Sequence, residues 1–253
     1  MTRQSIEGNL GTVEKAYTYS HCCILLSGGV GSRMNESTPK QYLPVAGRTV
    51  IEHTMYAIRN WKPLDSLIVV ADSHWKDYLS PLIEKVFPPE KVSFLGFSRP
   101  GVNRQMSVLN ALQDISPYMR DRACVMIHDA VRPLVSESLI MTCNASLSDS
   151  DGVMPFLPMK DTVYESTDGR YISKNLDRSM LIAGQTPEFY DYHKYLTANE
   201  ALSEDELATV HGSSEPAVKA GMKIALVPGE ESNFKITTRE DLERFKRMYE
   251  ARQ

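Results

Sequence analysis

The chain is expected to fold as one α/β unit: a single Rossmann-like, doubly wound and mostly parallel sheet with a protruding β-hairpin arm. Three observations predict this. Short, continuous apolar runs recur at Cys22–Leu26, Leu67–Asp72 and Ala123–Asp129, the last two ending in an acidic residue. Runs of that kind suit parallel strands buried on both faces. Amphipathic stretches alternate with them, the pattern of an open sheet covered by helices. The first run passes directly into a glycine-rich turn, Ser27-Gly28-Gly29-Val30-Gly31-Ser32-Arg33-Met34, at the strand end where the ligands of such sheets bind.

In chain order, residues 1–20 are polar and aperiodic, an N-terminal extension ahead of a domain at 21–253. Helices are expected over Val50–Trp61, Trp75–Val86 and Asn103–Ile115, with Pro88-Pro89 closing the second. A further helix spans Ser136–Ser146, and Gly152–Leu157 reads as the next strand. The alternation then breaks. Lys160–Ser173, inside an arm of about 159–183, reads as a hairpin turning at Thr167-Asp168-Gly169. It is too short to own a core and must pack on something else, for which a partner subunit is the candidate. Helical segments follow, then a strand near Lys223–Val227, a short strand-like Asn233–Thr237 and a last helix. That helix opens at Thr238 as N-cap with Asp241 as its acidic first turn.

Composition narrows the function classes. At 253 residues the chain is near the upper limit for one core, and no Pro/Gly/Ser-rich linker divides it. The net charge of -4 gives no bulk attraction to nucleic acid or anionic lipid, so any anion site must be a local cluster of Arg and Lys. No apolar run is long enough to span a bilayer, and Met1–Tyr19 lacks the basic-then-apolar order of a secretory signal. The four cysteines, Cys22, Cys23, Cys124 and Cys143, form no Cys-x-x-Cys pair. A reducing cytoplasm is expected, without disulfides or structural zinc. The six histidines show no metal-ligand spacing, and no Gly-x-Ser-x-Gly elbow is present.

The residues that could carry chemistry cluster at the predicted strand ends. Ser27, Gly28, Gly29 and Gly31 allow backbone amides to approach an anion, and Arg33 and Lys40 add the cations a polyphosphate needs. Asp129 and Arg132 stand side by side just past a strand. As an exposed ion pair they would contribute only ~0–1 kcal/mol; in a site, Asp129 would face a hydroxyl or magnesium and Arg132 a phosphate. Gly101, Arg104 and Ser107 open a helix, a natural site for an anion or a base edge. A plain helix cap fits them equally. Thr162, Arg178 and Thr186 are ordinary surface residues when read alone. Lys235, between Phe234 and Ile236, points to the opposite face from its neighbours.

Together these residues resemble the CTP-dependent cytidylyltransferases that activate polyol phosphates, whose two branches act on 2-C-methyl-D-erythritol 4-phosphate and ribitol 5-phosphate. The resemblance covers about residues 22–250, with the motifs in the family's order. Gly29–Met34 is similar to the family's Gly-x-Gly-x-Arg-Met loop, and Pro39-Lys40-Gln41-Tyr42 to its Pro-Lys-Gln-Tyr. Gly101-x-x-Arg104-x-x-Ser107 resembles the cytosine-reading segment. His128–Pro133 and Gln185-Thr186-Pro187 resemble the polyol-phosphate motifs, and Asn233–Thr237 the motif of a late lysine.

The resemblance implies that Arg33, Lys40 and Lys235 converge on the α-phosphate of CTP, with Mg²⁺ bridging the triphosphate and Asp129 as its ligand. Asp129, Arg132 and Thr186 would hold the acceptor. The arm would interlock a homodimer, carrying Thr162 and Arg178 into the neighbouring site. Two departures stand out. Ser213-Ser214-Glu215-Pro216 replaces the usual Thr-Asp loop, and Val102 replaces an aspartate common in the erythritol branch. Gly184 before Gln185, Glu165–Gly169 in the arm and Glu231-Ser232-Asn233 lean toward the ribitol branch or a related pentitol phosphate. A dinucleotide-dependent oxidoreductase is the competing enzyme class. Met34 stands where its third glycine or alanine belongs, and a loop arginine and lysine suit a triphosphate better. An inactive binding module on the same fold is a third reading, opposed by the joint presence of Arg33, Lys40 and Lys235.

Overall fold

A computed structural model describes residues 18–29 and 38–251; Gly31, Arg33, Met34 and most of the N-terminal extension lie outside these. The first strand, β1 (Tyr19–Leu26), leads through a small hairpin of β2 (Pro44–Val45) and β3 (Arg48–Thr49) into α1 (Val50–Ile58). Then come β4 (Ser66–Val70), α2 (Lys76–Val86), β5 (Ser93–Ser98), α3 (Arg104–Ile115), β6 (Met119–Asp129), α4 (Glu137–Ser146) and β7 (Gly152–Pro158). Helix starts follow their caps: Asn103 Oδ1 accepts from the Met106 N–H at 2.8 Å, and Ser136 Oγ from Leu139 at 3.0 Å.

β1 pairs in parallel with β4 on one side and β6 on the other, and β4 pairs in parallel with β5. Beyond β6 the sheet is mixed. The arm hairpin, β8 (Val163–Glu165) and β9 (Lys174–Leu176), pairs only with itself among the described residues. The chain then returns as β10 (Ile182–Gly184) and β11 (Glu188–Asp191). β11 runs antiparallel between β6 and β7, and β10 pairs with the far end of β7. Helices α5 (Tyr192–Glu200), α6 (Glu204–Thr209) and α7 (Ser214–Lys219) precede β12 (Ile224–Pro228), which lies parallel to β7. The last helix is α8 (Arg239–Glu250), entered through a Thr238–Asp241 capping box.

The expected mostly parallel, doubly wound sheet is present, with differences in detail. Three strands beyond the sequence expectation, β5, β10 and β11, complete it. Asn233–Thr237 is irregular backbone and not a strand.

Period-two alternation sorts the strand residues into two cores. Cys23, Leu25, Leu67, Val69 and Met126 face α1, α2 and α4, whereas Cys22, Ile24, Ile68, Val70, Val125 and Ile127 face α3 and α5. A third, smaller cluster joins Val131 and Leu134 after β6 to Ile236 and Phe245, which docks α8 and the segment before it beside the sheet end. Leu25 is fully buried in the central strand. Leu25→Ala is expected to cost about 2–5 kcal/mol in urea unfolding. Val218→Ala, at a position 64% exposed, should stay within about 0.5 kcal/mol.

Candidate active site

Strand order reverses at β1, because the chain first builds outward through β4 and β5 and then returns to add β6. The register places Leu26 opposite Val70 on one side and Asp129 on the other, and Val70 opposite Ser98. The loops after all four strands therefore open along one sheet edge, at the switch point where α/β sheets take their ligands. A cavity of about 710 Å³ lies there, reached by Ser27, Gly28, Gly29, Lys40, Gly101, Arg104, Ser107, Asp129 and Lys235 among others.

Each loop is held by buried side chains. Gln41, 3% exposed, donates from Nε2 to the carbonyls of Ser27 and Gly29, both at 2.8 Å. Tyr42 bonds the Ser27 hydroxyl at 3.0 Å. In the Pro39–Tyr42 segment, then, Lys40 reaches the cavity while Gln41 and Tyr42, the two residues after it, grip the glycine turn. Gly28 and Gly101 are demanded by close approach. A Cβ on Gly28 would stand 2.8 Å from Pro100, and one on Gly101 2.4 Å from Met106 Cβ. Gly101 N–H donates to Ser107 Oγ at 2.9 Å, and that hydroxyl donates to the Asn103 carbonyl at 2.8 Å, so this pair fixes the mouth of α3.

Asp129 is the electrostatic centre. Its carboxylate meets Arg104 Nε at 3.1 Å, Lys235 Nζ at 3.0 Å and Arg132 Nε at 3.7 Å. Burial alone would raise its pKa; Arg104, Lys235 and Arg132 together outweigh burial and hold it well below the usual carboxylate range. The cluster keeps an excess of positive charge, with Arg104 and Lys235 reaching the cavity. Arg132 does not reach it. Only 9% exposed, it turns back and donates from Nη1 to the Asn233 carbonyl at 2.6 Å, locking the segment that carries Lys235.

Behind Asp129 lies a proton-ordered chain. The Arg132 carbonyl can only accept, so His128 Nε2, 3.2 Å away, carries the proton. His128 Nδ1 then accepts from the Thr186 hydroxyl at 3.1 Å, and that oxygen accepts from the Asp129 N–H at 3.2 Å. Thr186 is 4% exposed and sits behind the carboxylate, outside the cavity lining. Asn233, fully buried, donates to the Thr186 carbonyl at 2.8 Å. Burial pushes the Glu188 carboxyl up against the pull of Arg104. Its Oε2 accepts from Ser213 and from Tyr190. The departing Ser213 loop is therefore part of the packing under Arg104.

Thr162 and Arg178 lie on the exposed arm, where Arg178 Nη1 donates to the Lys160 carbonyl at 2.6 Å. Neither lines this chain's own cavity. Arg33 and Gly31 fall outside the described residues. Gln41, Tyr42, His128, Glu188 and Asn233 carry structural duties that sequence reading assigned to none of them. The signals were membership of a motif for four of them and, for Glu188, a place just after Gln185-Thr186-Pro187. Among the described residues no group of three or more His, Cys, Asp or Glu side chains could hold a metal ion. The carboxylates lining the cavity, among the described residues, are Asp129 and Asp72. No described helix is long and apolar enough to cross a membrane.

Fold and site can be set beside known proteins. Residues 21–249 match the family model described as 2-C-methyl-D-erythritol 4-phosphate cytidylyltransferase. The chain is 31% identical over 231 residues to the ribitol-5-phosphate cytidylyltransferase of Streptococcus agalactiae serotype III (strain NEM316), covering 91% of this chain and 95% of that one. It is 32% identical over 221 residues to the chloroplastic 2-C-methyl-D-erythritol 4-phosphate cytidylyltransferase of Oryza sativa subsp. japonica, covering 87% and 71%. Its fold superposes on 4-diphosphocytidyl-2C-methyl-D-erythritol synthase from Anaerococcus prevotii DSM 20548 with a TM-score of 0.74 at 25% identity, covering 92% of this chain and 99% of that one. These likenesses define a nucleotidyltransferase. The chain belongs to the 2-C-methyl-D-erythritol 4-phosphate cytidylyltransferase family, as the motif resemblance implied.

Burial is the main cause that brings the His128 pKa from 6.5 down to about 4. Between those two values the unfolded chain takes up a proton there that the folded chain refuses. Stability should therefore rise with pH across this window, by on the order of 3 kcal/mol, and be complete above it. His128→Gln, less stable throughout, is expected to lose this slope in urea unfolding at pH values spanning the window.

Proposed function

We propose that the protein transfers CMP from CTP to a sugar-alcohol phosphate, releasing pyrophosphate, with ribitol 5-phosphate or a related pentitol phosphate as the favoured acceptor. The observation that carries this is the convergence of Lys40, Arg104 and Lys235 on one cavity beside the glycine turn. A phosphate oxygen of the acceptor attacks the α-phosphorus in line. The bond to the β-phosphate breaks, and its electron pair leaves with pyrophosphate. No covalent enzyme intermediate is required, so positioning and charge neutralisation supply most of the rate. Lys40 and Lys235, with Arg33 of the glycine loop, neutralise charge at the α-phosphate. Ser27, Gly28, Gly29, Gly31, Gly101, Arg104 and Ser107 form the nucleotide half of the site.

The donor set suits a Mg²⁺ carried largely by substrate phosphates, since such ions take one or two carboxylates and keep the rest of their shell in phosphate and water. Asp129 is the protein ligand this would use. When bound, the ion would neutralise charge on the triphosphate and the leaving pyrophosphate. Asp129, through Arg132 and Thr186 behind it, would orient the acceptor.

The ribitol preference rests on the three sequence features of that branch and on the similarity to the Streptococcus agalactiae enzyme across 95% of its length. The family description makes 2-C-methyl-D-erythritol 4-phosphate the alternative acceptor. A homodimer joined through the arm is supported by the exposure of Tyr164, Tyr171, Ile172, Met180 and Ile182 there, an apolar surface that a monomer would leave in water. Thr162 and Arg178 would then serve the partner's site. A reducing, cytoplasmic setting is supported by four buried, free cysteines.

With CTP, Mg²⁺ and ribitol 5-phosphate, the protein should release pyrophosphate; silence with every polyol phosphate tried would refute the reaction. Lys40→Ala and Lys235→Ala should each lower kcat by roughly 10²-fold or more. That loss should far exceed their effect on thermal unfolding, which should be the greater for Lys235→Ala because that side chain pairs with buried Asp129. Sedimentation should give a dimer at micromolar concentration, and an arm variant with Tyr171→Asp and Ile172→Asp should sediment as a monomer.

A further inference from the structure

The cavity is chemically two-sided. Its cationic flank gathers at the end of β6, where Arg104 and Lys235 meet Asp129. The opposite flank follows β4, across β1 and about 10 Å away. There, and after the neighbouring β5, the lining includes the apolar or aromatic Val70, Trp75, Pro100 and Val102, with the Asp72 carboxylate among them. A phosphate is drawn to the first flank and repelled by Asp72 at the second.

Trp75 is held in place before any ligand arrives. Asp72 Oδ1 accepts from the His74 N–H at 2.9 Å, capping the single helical turn Ser73–Trp75 that brings the indole back toward β1. Its ring stacks on Tyr42 with centroids 3.8 Å apart and planes 17° from parallel. Tyr42 is itself 4% exposed and anchored on Ser27. His74 and Tyr78 meet the indole edge-on at 5.6 and 6.0 Å. Trp75 also lines the cavity. A rigid, backed aromatic surface opposite a cation cluster suits a ligand with a planar ring at one end and phosphates at the other. A polyol phosphate has no such ring.

We propose that Trp75, backed by Tyr42, is the platform on which the pyrimidine base of the nucleotide stacks. This rests on the cytidylyl-transfer reading of the same cavity. Stacking tolerates any base and adds affinity without hydrogen-bond readout, so Trp75 contributes binding while polar groups choose the base.

The chain has two tryptophans, and Trp61 is remote. It is 1% exposed and packs edge-on against His21, at the opposite end of β1. Trp61 then contributes a constant background, and a change in tryptophan emission on ligand binding reports on Trp75. Titrating the full chain with CTP should quench that emission, and inorganic tripolyphosphate should not. By calorimetry, Trp75→Leu should raise the Kd for CTP on the order of tenfold and leave tripolyphosphate binding unchanged. Trp75→Phe should recover most of the loss. Unchanged CTP affinity in Trp75→Leu, or parallel loss of CTP and tripolyphosphate, would overturn the platform. A protein that binds CTP through Trp75 yet releases no pyrophosphate refutes the reaction and leaves the platform standing. Pyrophosphate release with a CTP affinity indifferent to Trp75 does the reverse, and a chain that does not bind CTP refutes both.

Discussion

The site is organised around one buried carboxylate. Asp129 ends the longest strand, and taking its charge out of water alone would cost several kcal/mol. Arg104 from the start of α3, Arg132 from the following turn and Lys235 from the segment before α8 offset that cost. The dependence is mutual, because without the carboxylate three cations would be forced together against their own repulsion. Three stretches distant in sequence are thus drawn to one point by charge, and the cations stand in place before any anion arrives. Such pre-placed charge needs little reorganisation when negative charge develops in a transition state. A polyphosphate competes for groups already assembled.

The second support is the antiparallel strand β11, wedged between β6 and β7. It places Glu188 under Arg104, and the segment leading into it places Thr186 under the Asp129 amide. The floor of the site thus comes from a strand running against its neighbours and the residues just before it. Asn233 ties the Thr186 carbonyl to the loop carrying Lys235, and Gln185 donates to the Glu230 carbonyl at 2.9 Å. The floor and the late lysine therefore move as one body. The unusual Ser213 belongs to the same floor: its hydroxyl donates to Glu188, and its carbonyl accepts from Tyr195 at 2.6 Å. The first residue of the departing Ser213–Pro216 segment therefore serves packing beneath the cavity.

What was legible in the sequence follows from burial. β1, β4 and β6 carry continuous apolar runs because both of their faces are covered, and their caps announce the helices between them. β5 is only partly covered and is interrupted by Gly96 at φ +116°, so it shows no such run. β10 is exposed throughout, and β11 begins on a buried glutamate after a proline and runs directly into α5. Neither has a periodic signal. At Asn233–Thr237 the expected alternation holds although the expected strand does not form. Ile236 is buried with its N–H on the Val131 carbonyl at 2.9 Å, and Lys235 turns the other way onto Asp129. The acid–base pair of Asp129 and Arg132 was visible side by side. That Arg132 spends its guanidinium on a backbone carbonyl a hundred residues onward was not, because no local pattern encodes a long-range hydrogen bond.

Charge balance gives the remaining step. A nucleoside triphosphate and a polyol phosphate together bring on the order of six negative charges. Against them the described cavity of one chain sets Lys40, Arg104 and Lys235, already offset by Asp129, while Arg132 faces inward. Arg33, on the undescribed part of the glycine loop, adds at most one more. The deficit falls on the acceptor side, since the three lining cations flank the nucleotide loops. A divalent cation and an arginine from outside the chain's own cavity are what electrostatics asks for there. Under the proposed function Arg178 would be a cation of that kind, on an arm that exposes Tyr171, Ile172 and Met180. In the proposed dimer the same hairpin would supply charge to the partner's site, and association and acceptor binding would then be one physical requirement.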